Sequence, residues 1–301
     1  MTLPRQVLEN TTSMVTRRCT QQCYLLTPSE ETNNAVIYCI VVAAQKTGVC
    51  LLDFMTMPNH LHDALFDPKG ELVAFYTEFH RLLAKCMNVQ LGRWENFWAS
   101  QQTNVVRLET QNDVIDKLVY IATNPVTAGL VERVLDWPGA FGYRALITGE
   151  PLRATRPKTY FDEDGDMPAE VEMVLRIPPE LGDHDQVVAK VKRLVEGVER
   201  EECRKRQESG RKVLGRNAVM RRSWRESPTS KSPRRGLRPT IAAKDFWRRL
   251  EAIQRRRDFL TQYRLARQSL LAGTPIPFPH GTYWLRRYMN VAVEPACAEN
   301  N

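Results

Sequence analysis

Val49-Cys50-Leu51-Leu52-Asp53-Phe54-Met55-Thr56 and, directly after it, Met57-Pro58-Asn59-His60-Leu61-His62 decide how this chain is read. The first stretch is a continuous apolar run, the pattern of a buried strand. Pro58 and Asn59 bend the chain, and a further strand is expected from His60 to Phe66. Side chains two apart in a strand share a face, so His60 and His62 point the same way, about 7 Å apart at the backbone. Two imidazoles so placed can converge on one ion. A His-x-His pair alone is more often two satisfied polar groups, so its meaning rests on what stands beside it.

Upstream, residues 1–14 read as a loose arm and Val15 to Leu26 as a first strand. Thr27-Pro28-Ser29-Glu30 reads as a helix start, with Thr27 as cap, Pro28 in the first helical position and Glu30 completing a capping box. That helix should run to about Lys46 and stop at Gly48. Downstream, Asp67 to Gly70 forms a turn, and Glu71 to Leu91 is amphipathic, with Leu72, Phe75, Phe79, Leu82, Leu83 and Cys86 on one stripe. Asn104 to Glu109 is a short β-branched run, the fourth strand.

Thr110-Gln111-Asn112-Asp113 opens another helix, expected from Val114 to about Asn124, where Pro125 kinks or stops it. Val114, Leu118, Ile121 and Ala122 make its buried side. Asp113, Lys117, Tyr120 and Asn124 fall within about 60° of one another on the opposite side. A tyrosine off the core stripe is not the usual packing tyrosine.

The formal net charge of +8 is unevenly spread. Residues 1–150 hold 12 Lys/Arg and 15 Asp/Glu, whereas the remainder holds 31 and 20. The positive field of the C-terminal half points to a polyanion, nucleic acid before acidic membrane. Seven cysteines, mostly in apolar runs, fit reduced thiols better than a disulfide framework. No signal peptide is visible, and the longest apolar run, Ala35 to Ala44, is too short to span a bilayer. A cytoplasmic protein is expected.

The chain divides by pattern into residues 1–152, an acidic, polar linker 153–184, and a basic, mostly helical region 185–301. In the last, Asp185 to about Arg206 is a helix with a valine-rich side. Pro228 to Gly236 is a flexible joint. Lys244 to Leu271 is a long helix with Phe246, Leu250, Ile253, Leu260 and Tyr263 as its apolar positions. Arg221, Arg222, Arg234, Arg235, Arg248, Arg249, Arg255 and Arg256 are candidates for phosphate contact, and the interleaved Trp224, Trp247 and Trp284 for stacking. The bland alternative is a solvated helix face with core aromatics.

Residues 1–150 resemble the single-tyrosine HUH transposases, in particular the REP-associated tyrosine transposases. Met57-Pro58-Asn59-His60-Leu61-His62 is similar to that family's Met-Pro-Asn-His-hydrophobic-His. Tyr120-Ile121-Ala122-Thr123-Asn124-Pro125-Val126-Thr127-Ala128-Gly129-Leu130-Val131 is similar to its tyrosine helix, and Asp136-Trp137-Pro138 to a tripeptide that follows. The resemblance implies a ferredoxin-like α+β domain, an antiparallel sheet with helices on one face. It implies metal-dependent cleavage and rejoining of single-stranded or hairpin DNA, with Tyr120 as nucleophile. His60, His62 and, as a third, Asn124 would be ligands of Mg²⁺ or Mn²⁺.

Two histidines admit Mn²⁺ more comfortably than Mg²⁺. A phenol ordinarily titrates near pH ~10, so as a nucleophile it needs a positive field close by. Lys117, one turn before Tyr120, either contributes to that field or is a solvated lysine. Asp63 replaces the apolar residue usual in the family. It either orients a ligand from behind or faces water across the strand. The alternative to a transposase is a domesticated relative that binds structured DNA or RNA without cutting it. The resemblance also admits a homodimer in which two subunits exchange tyrosine helices.

Overall fold

The computed structural model describes residues 4–229 and 239–295. Arg234, Arg235 and most of the joint expected at Pro228 to Gly236 lie outside the described residues. The chain begins with β1, Thr11–Arg18. The strand therefore starts inside the stretch expected to be a loose arm, because Thr11, Thr12, Val15 and Thr16 are β-branched and suit a pleated surface. Tyr24 to Leu26, expected at the strand's end, lies beyond it. Gln21 and Gln22 take φ of 50° and 58° and turn the chain away.

Helix α1, Glu30–Thr47, is capped by Ser29 rather than Thr27: the Ser29 hydroxyl accepts from the Thr32 amide at 3.1 Å. Thr27 instead donates its hydroxyl to the Tyr24 carbonyl. Gly48, at φ 73°, closes the helix as its sequence position predicts.

Strands β2, Cys50–Met57, and β3, His60–Asp67, form a hairpin about the Pro58-Asn59 turn. Helix α2, Leu72–Gln90, strand β4, Asn104–Leu108, and helix α3, Gln111–Thr127, follow. Thr110 caps α3, accepting from the Asp113 amide at 3.2 Å. Pro125 does not stop α3, which continues to Thr127. The chain leaves it at Gly129, φ 67°, while the Leu130 amide turns back to the Pro125 carbonyl at 2.9 Å.

The remaining elements are α4, Tyr143–Thr148, β5, Leu152–Thr155, β6, Glu170–Met173, and α5, His184–Ser209. After them come α6, Arg216–Met220, β7, Ile241–Ala242, α7, Phe246–Leu271, and α8, Trp284–Met289. The main sheet has the order β2-β3-β1-β4-β7. Its first four strands pair antiparallel, and β7 adds in parallel to β4.

Register assigns the faces. Thr16 lies opposite His62 and Arg18 opposite His60, so these four share one face. Arg17 and Leu61 belong to the other face, where Arg17 stacks on Trp98 and α2 brings Tyr76 and His80. Helices α1 and α2 pack side by side there. Helix α3 lies on the histidine face, against β2 and β3. The sheet is therefore covered on both faces, not on one as expected, because the α3 stripe of Val114, Leu118, Ile121 and Ala122 also needs a buried partner.

The stretch expected to be a linker carries β6, which pairs with β5 in a hairpin against α1, and Phe161, which packs on Tyr38 at 5.2 Å. Helix α5 lies along α3, burying Val187, Val191 and Val195. Helix α7 buries Ala252, Phe259 and Ala266 instead of the expected stripe, and Phe246 and Leu250 are exposed. Residues seven apart make a narrow seam, and alanines in an arginine-rich helix do not announce it. Among the described residues no helix is long and apolar enough to cross a membrane, and the six described cysteines are free.

Candidate active site

The turn at Pro58-Asn59 starts β3 with His60, and strand parity puts His62 on the same face. Their ring centroids are 4.8 Å apart, nearly perpendicular. Across the cleft α3 presents Tyr120, 45% exposed, with its ring centroid 5.4 Å from that of His62. Tyr120 is exposed because it projects from α3 on the side away from Leu118 and Ile121. Lys117, one turn earlier, holds its ammonium 5.4 Å from the Tyr120 ring centroid.

Each imidazole is oriented by one neighbour. His60 Nδ1 meets Asn59 Oδ1 at 2.7 Å; an amide oxygen only accepts, so Nδ1 carries the proton and Nε2 keeps its lone pair. His62 Nδ1 meets Thr16 Oγ1 at 2.9 Å. Burial, helped by the positive Arg18 across the ladder, pushes the His60 ring down to about 4. Burial first, then the charges of His60, Arg18 and Lys117, holds His62 well below the usual histidine range. Both rings are neutral at pH 7, the form that can ligate a cation or take a proton.

Asn124, one turn beyond Tyr120, is half-buried, and its side-chain amide has no hydrogen-bond partner among the described residues. Positions four apart on a helix are neighbours, so it belongs to the same side of α3 as Tyr120. Asp113, expected beside Tyr120, is buried instead: its carboxylate accepts from the Thr110 hydroxyl and, at 2.9 Å, from the Lys244 amide. Among the described residues, no three His, Cys, Asp or Glu side chains gather as a metal cluster.

Neither expectation for Asp63 holds. It lies opposite Val15 and Phe54, on the sheet face away from the histidines, and is fully buried. Its Oδ2 has no hydrogen-bond partner among the described residues, and burial holds its carboxyl well above the usual range. Asp63 therefore neither faces water nor reaches an imidazole.

Thr16, Asn59 and Arg18 complete the site and were not legible in the sequence. For Thr16 and Arg18 the signal is period two, which puts them on one face of β1 as it puts His60 and His62 on one face of β3. A first strand placed at Val15 to Leu26 hides that alternation.

The candidate phosphate-binding arginines do not converge on the histidines as a group. Arg255 is committed to Glu109 at 2.5 Å, and Arg249 stacks on Phe246. Arg248 and Arg256 are on α7, the former exposed. Arg221 and Arg222 lie at the end of α6, on the segment that follows α5.

No protein-family model matches the chain, and no curated protein matches it. Among solved structures it is similar to that of a REP-associated tyrosine transposase bound to a REP hairpin, at 17% identity and a TM-score of 0.41. The match covers 58% of this chain and 99% of that one. At that TM-score the likeness is too loose to argue from.

Proposed function

We propose that this chain cuts and rejoins single-stranded DNA through a transient bond between Tyr120 and a 5′-phosphate. The observation that supports it most is the exposed Tyr120 ring standing 5.4 Å from His62, itself 4.8 Å from His60. The order of the first six elements, βαββαβ, and the sheet order β2-β3-β1-β4 within it fit the ferredoxin-like arrangement that the motifs imply.

In the proposed reaction the Tyr120 oxygen attacks the phosphorus. A new O–P bond forms, the bond from phosphorus to the 3′-oxygen breaks, and the phenolic proton is balanced by one gained at that 3′-oxygen. The ester keeps the energy of the broken bond, so a new 3′-hydroxyl can reverse the step without a nucleotide cofactor. His60 and His62 would hold a divalent cation through Nε2, with the Asn124 amide oxygen as a third donor. Neutral, Nδ1-anchored imidazoles suit Mn²⁺ and tolerate Mg²⁺. When bound, the ion supplies charge neutralisation at a non-bridging phosphate oxygen. Arg18, exposed beside His60, and Lys117 beside Tyr120 add positive charge on either side of the phosphate. The tyrosine and the imidazoles meet within one chain, so the reading needs no exchange of helices between two copies.

Tyr120→Phe should abolish the covalent protein–DNA adduct formed with a hairpin-bearing single strand in Mn²⁺, resolved on a denaturing gel. An undiminished adduct removes Tyr120 from the reaction. One observation favours a second reading, a binder that does not cut: among the described residues no acidic or thiol side chain joins the two histidines. Retention of hairpin DNA with no adduct and no cleaved strand, over a series of divalent ions, selects it.

A further inference from the structure

Past the end of α5, residues 214–226 run from the turn that ends α3 to the segment before α1 and form a rim between them. The Leu214 and Gly215 amides donate to the Gly129 and Leu130 carbonyls, each at 2.9 Å, so the segment is fixed to the turn that ends α3. Twelve residues on, the Tyr24 amide donates to the Glu226 carbonyl at 2.9 Å. Two residues beyond Tyr24, the Leu26 amide donates to the Pro58 carbonyl, in the turn that carries His60. The segment thus bridges the tyrosine helix and the histidine turn.

Three of its four arginines have no carboxylate partner among the described residues, and Arg222 is paired with Glu226 at 3.4 Å. On α5, Arg204 and Lys205 are paired with Glu201, Glu202 and Glu208. Arg216, Arg221 and Arg225 are exposed and have no carboxylate partner among the described residues. Arg216, Arg221 and Arg222 line an open depression of about 650 Å³ beside the end of α3. The aromatic rings here already carry cations: Trp224 has Arg225 at 4.5 Å and Arg93 at 5.3 Å, and Tyr24 has Arg222 at 5.8 Å. A guanidinium over a ring, as Arg225 is over Trp224, can still turn N–H groups to a phosphate, and it competes with a base for that ring.

We propose that this rim binds the phosphodiester backbone of a nucleic-acid strand passing into or out of the site, by phosphate contact and without reading bases. The proposal rests on the strand-cutting reading for the direction of the strand, but its test does not need cleavage.

The test uses the full chain and a labelled oligothymidylate of about 25 nucleotides, titrated over a series of salt concentrations, against the variant Arg216→Ser/Arg221→Ser/Arg225→Ser. The variant is expected to bind at least about tenfold more weakly, with the salt dependence shallower by about two, at roughly 0.7 per lost phosphate contact. Its melting temperature should match that of the parent, because the three side chains are exposed. An equal loss on a duplex of the same length supports backbone recognition without strand preference, and a loss on the single strand alone narrows it to that form. Unchanged affinity and slope overturn the proposal. So does competition by polyglutamate as effective as by unlabelled oligothymidylate, which makes the rim a docking surface for acidic protein. A parent protein that binds the strand but forms no adduct with a hairpin-bearing single strand over a series of divalent ions refutes the cleavage reading and leaves this one standing.

Discussion

His62 has one ring nitrogen to offer the cleft, because the other faces Thr16 Oγ1 at 2.9 Å. Thr16→Val keeps the shape and the strand preference but removes that contact. Metal-dependent cleavage should fall about 10–100-fold, while stability changes by less than about 1 kcal/mol; titration with Mn²⁺ and a thermal melt read the two separately. On the opposite face His80 is buried among Tyr76, Phe79 and Trp98, its Nε2 has no hydrogen-bond partner among the described residues, and burial with help from Arg17 pushes it down to about 3. A ring neutral when folded but protonated when unfolded costs stability as pH falls from about 6.5 towards the folded value, by about 1.4 kcal/mol per pH unit at most. His80→Phe should remove that slope, so the variant gains on the parent in melts at pH 4 and not at pH 8. At this scale the histidine pair and Tyr120 could be read from the sequence, since parity and helical angle suffice. The fate of Asp63 could not: its parity says only which face it takes, not that α1 and α2 seal that face.

The elements were legible where local chemistry is decisive and obscure where packing is. Gly48 and Thr110 end and begin helices as their residue types predict. Pro125 is expected to kink or stop α3, yet the helix runs on to Thr127, because its contact with the sheet and with α5 outweighs one missing amide bond. The segment after α3 is held to the edge of β2 by pairs that no periodicity announces: Thr56 to Ala140 at 3.0 Å and Gly142 to Phe54 at 2.8 Å. A Cβ on Gly142 would stand 2.6 Å from Asp53 Oδ1 and 2.9 Å from Leu175 Cδ1. Gly142→Ala should therefore cost about 1–3 kcal/mol in denaturant unfolding, through overpacking alone. Gly129→Ala meets nothing within 4 Å but sits at φ 67°. Its cost should be purely conformational, about 1 kcal/mol.

For the molecule as a whole, the division at residue 152 underrates how much later chain the first four strands depend on. Phe161 packs on Tyr38, α5 buries valines along α3, Lys244 reaches Asp116 at 2.5 Å, and the Val7 amide donates to the Gly281 carbonyl at 2.9 Å. Residues 1–152 alone should give no cooperative melt, or one well below that of the full chain by circular dichroism, with apolar dye binding at the uncovered helix faces. None of these contacts has a sequence signature, because each joins short or ordinary segments across long loops. Both borders of the main sheet are taken: residues 140–142 run along β2, and Ile241 and Ala242 pair with β4. Among the described residues, each border of the main sheet is therefore shortened as a template for a neighbour's strand. A neighbouring copy would find little continuous ribbon to extend there, which works against the strand-by-strand stacking that ends in fibres.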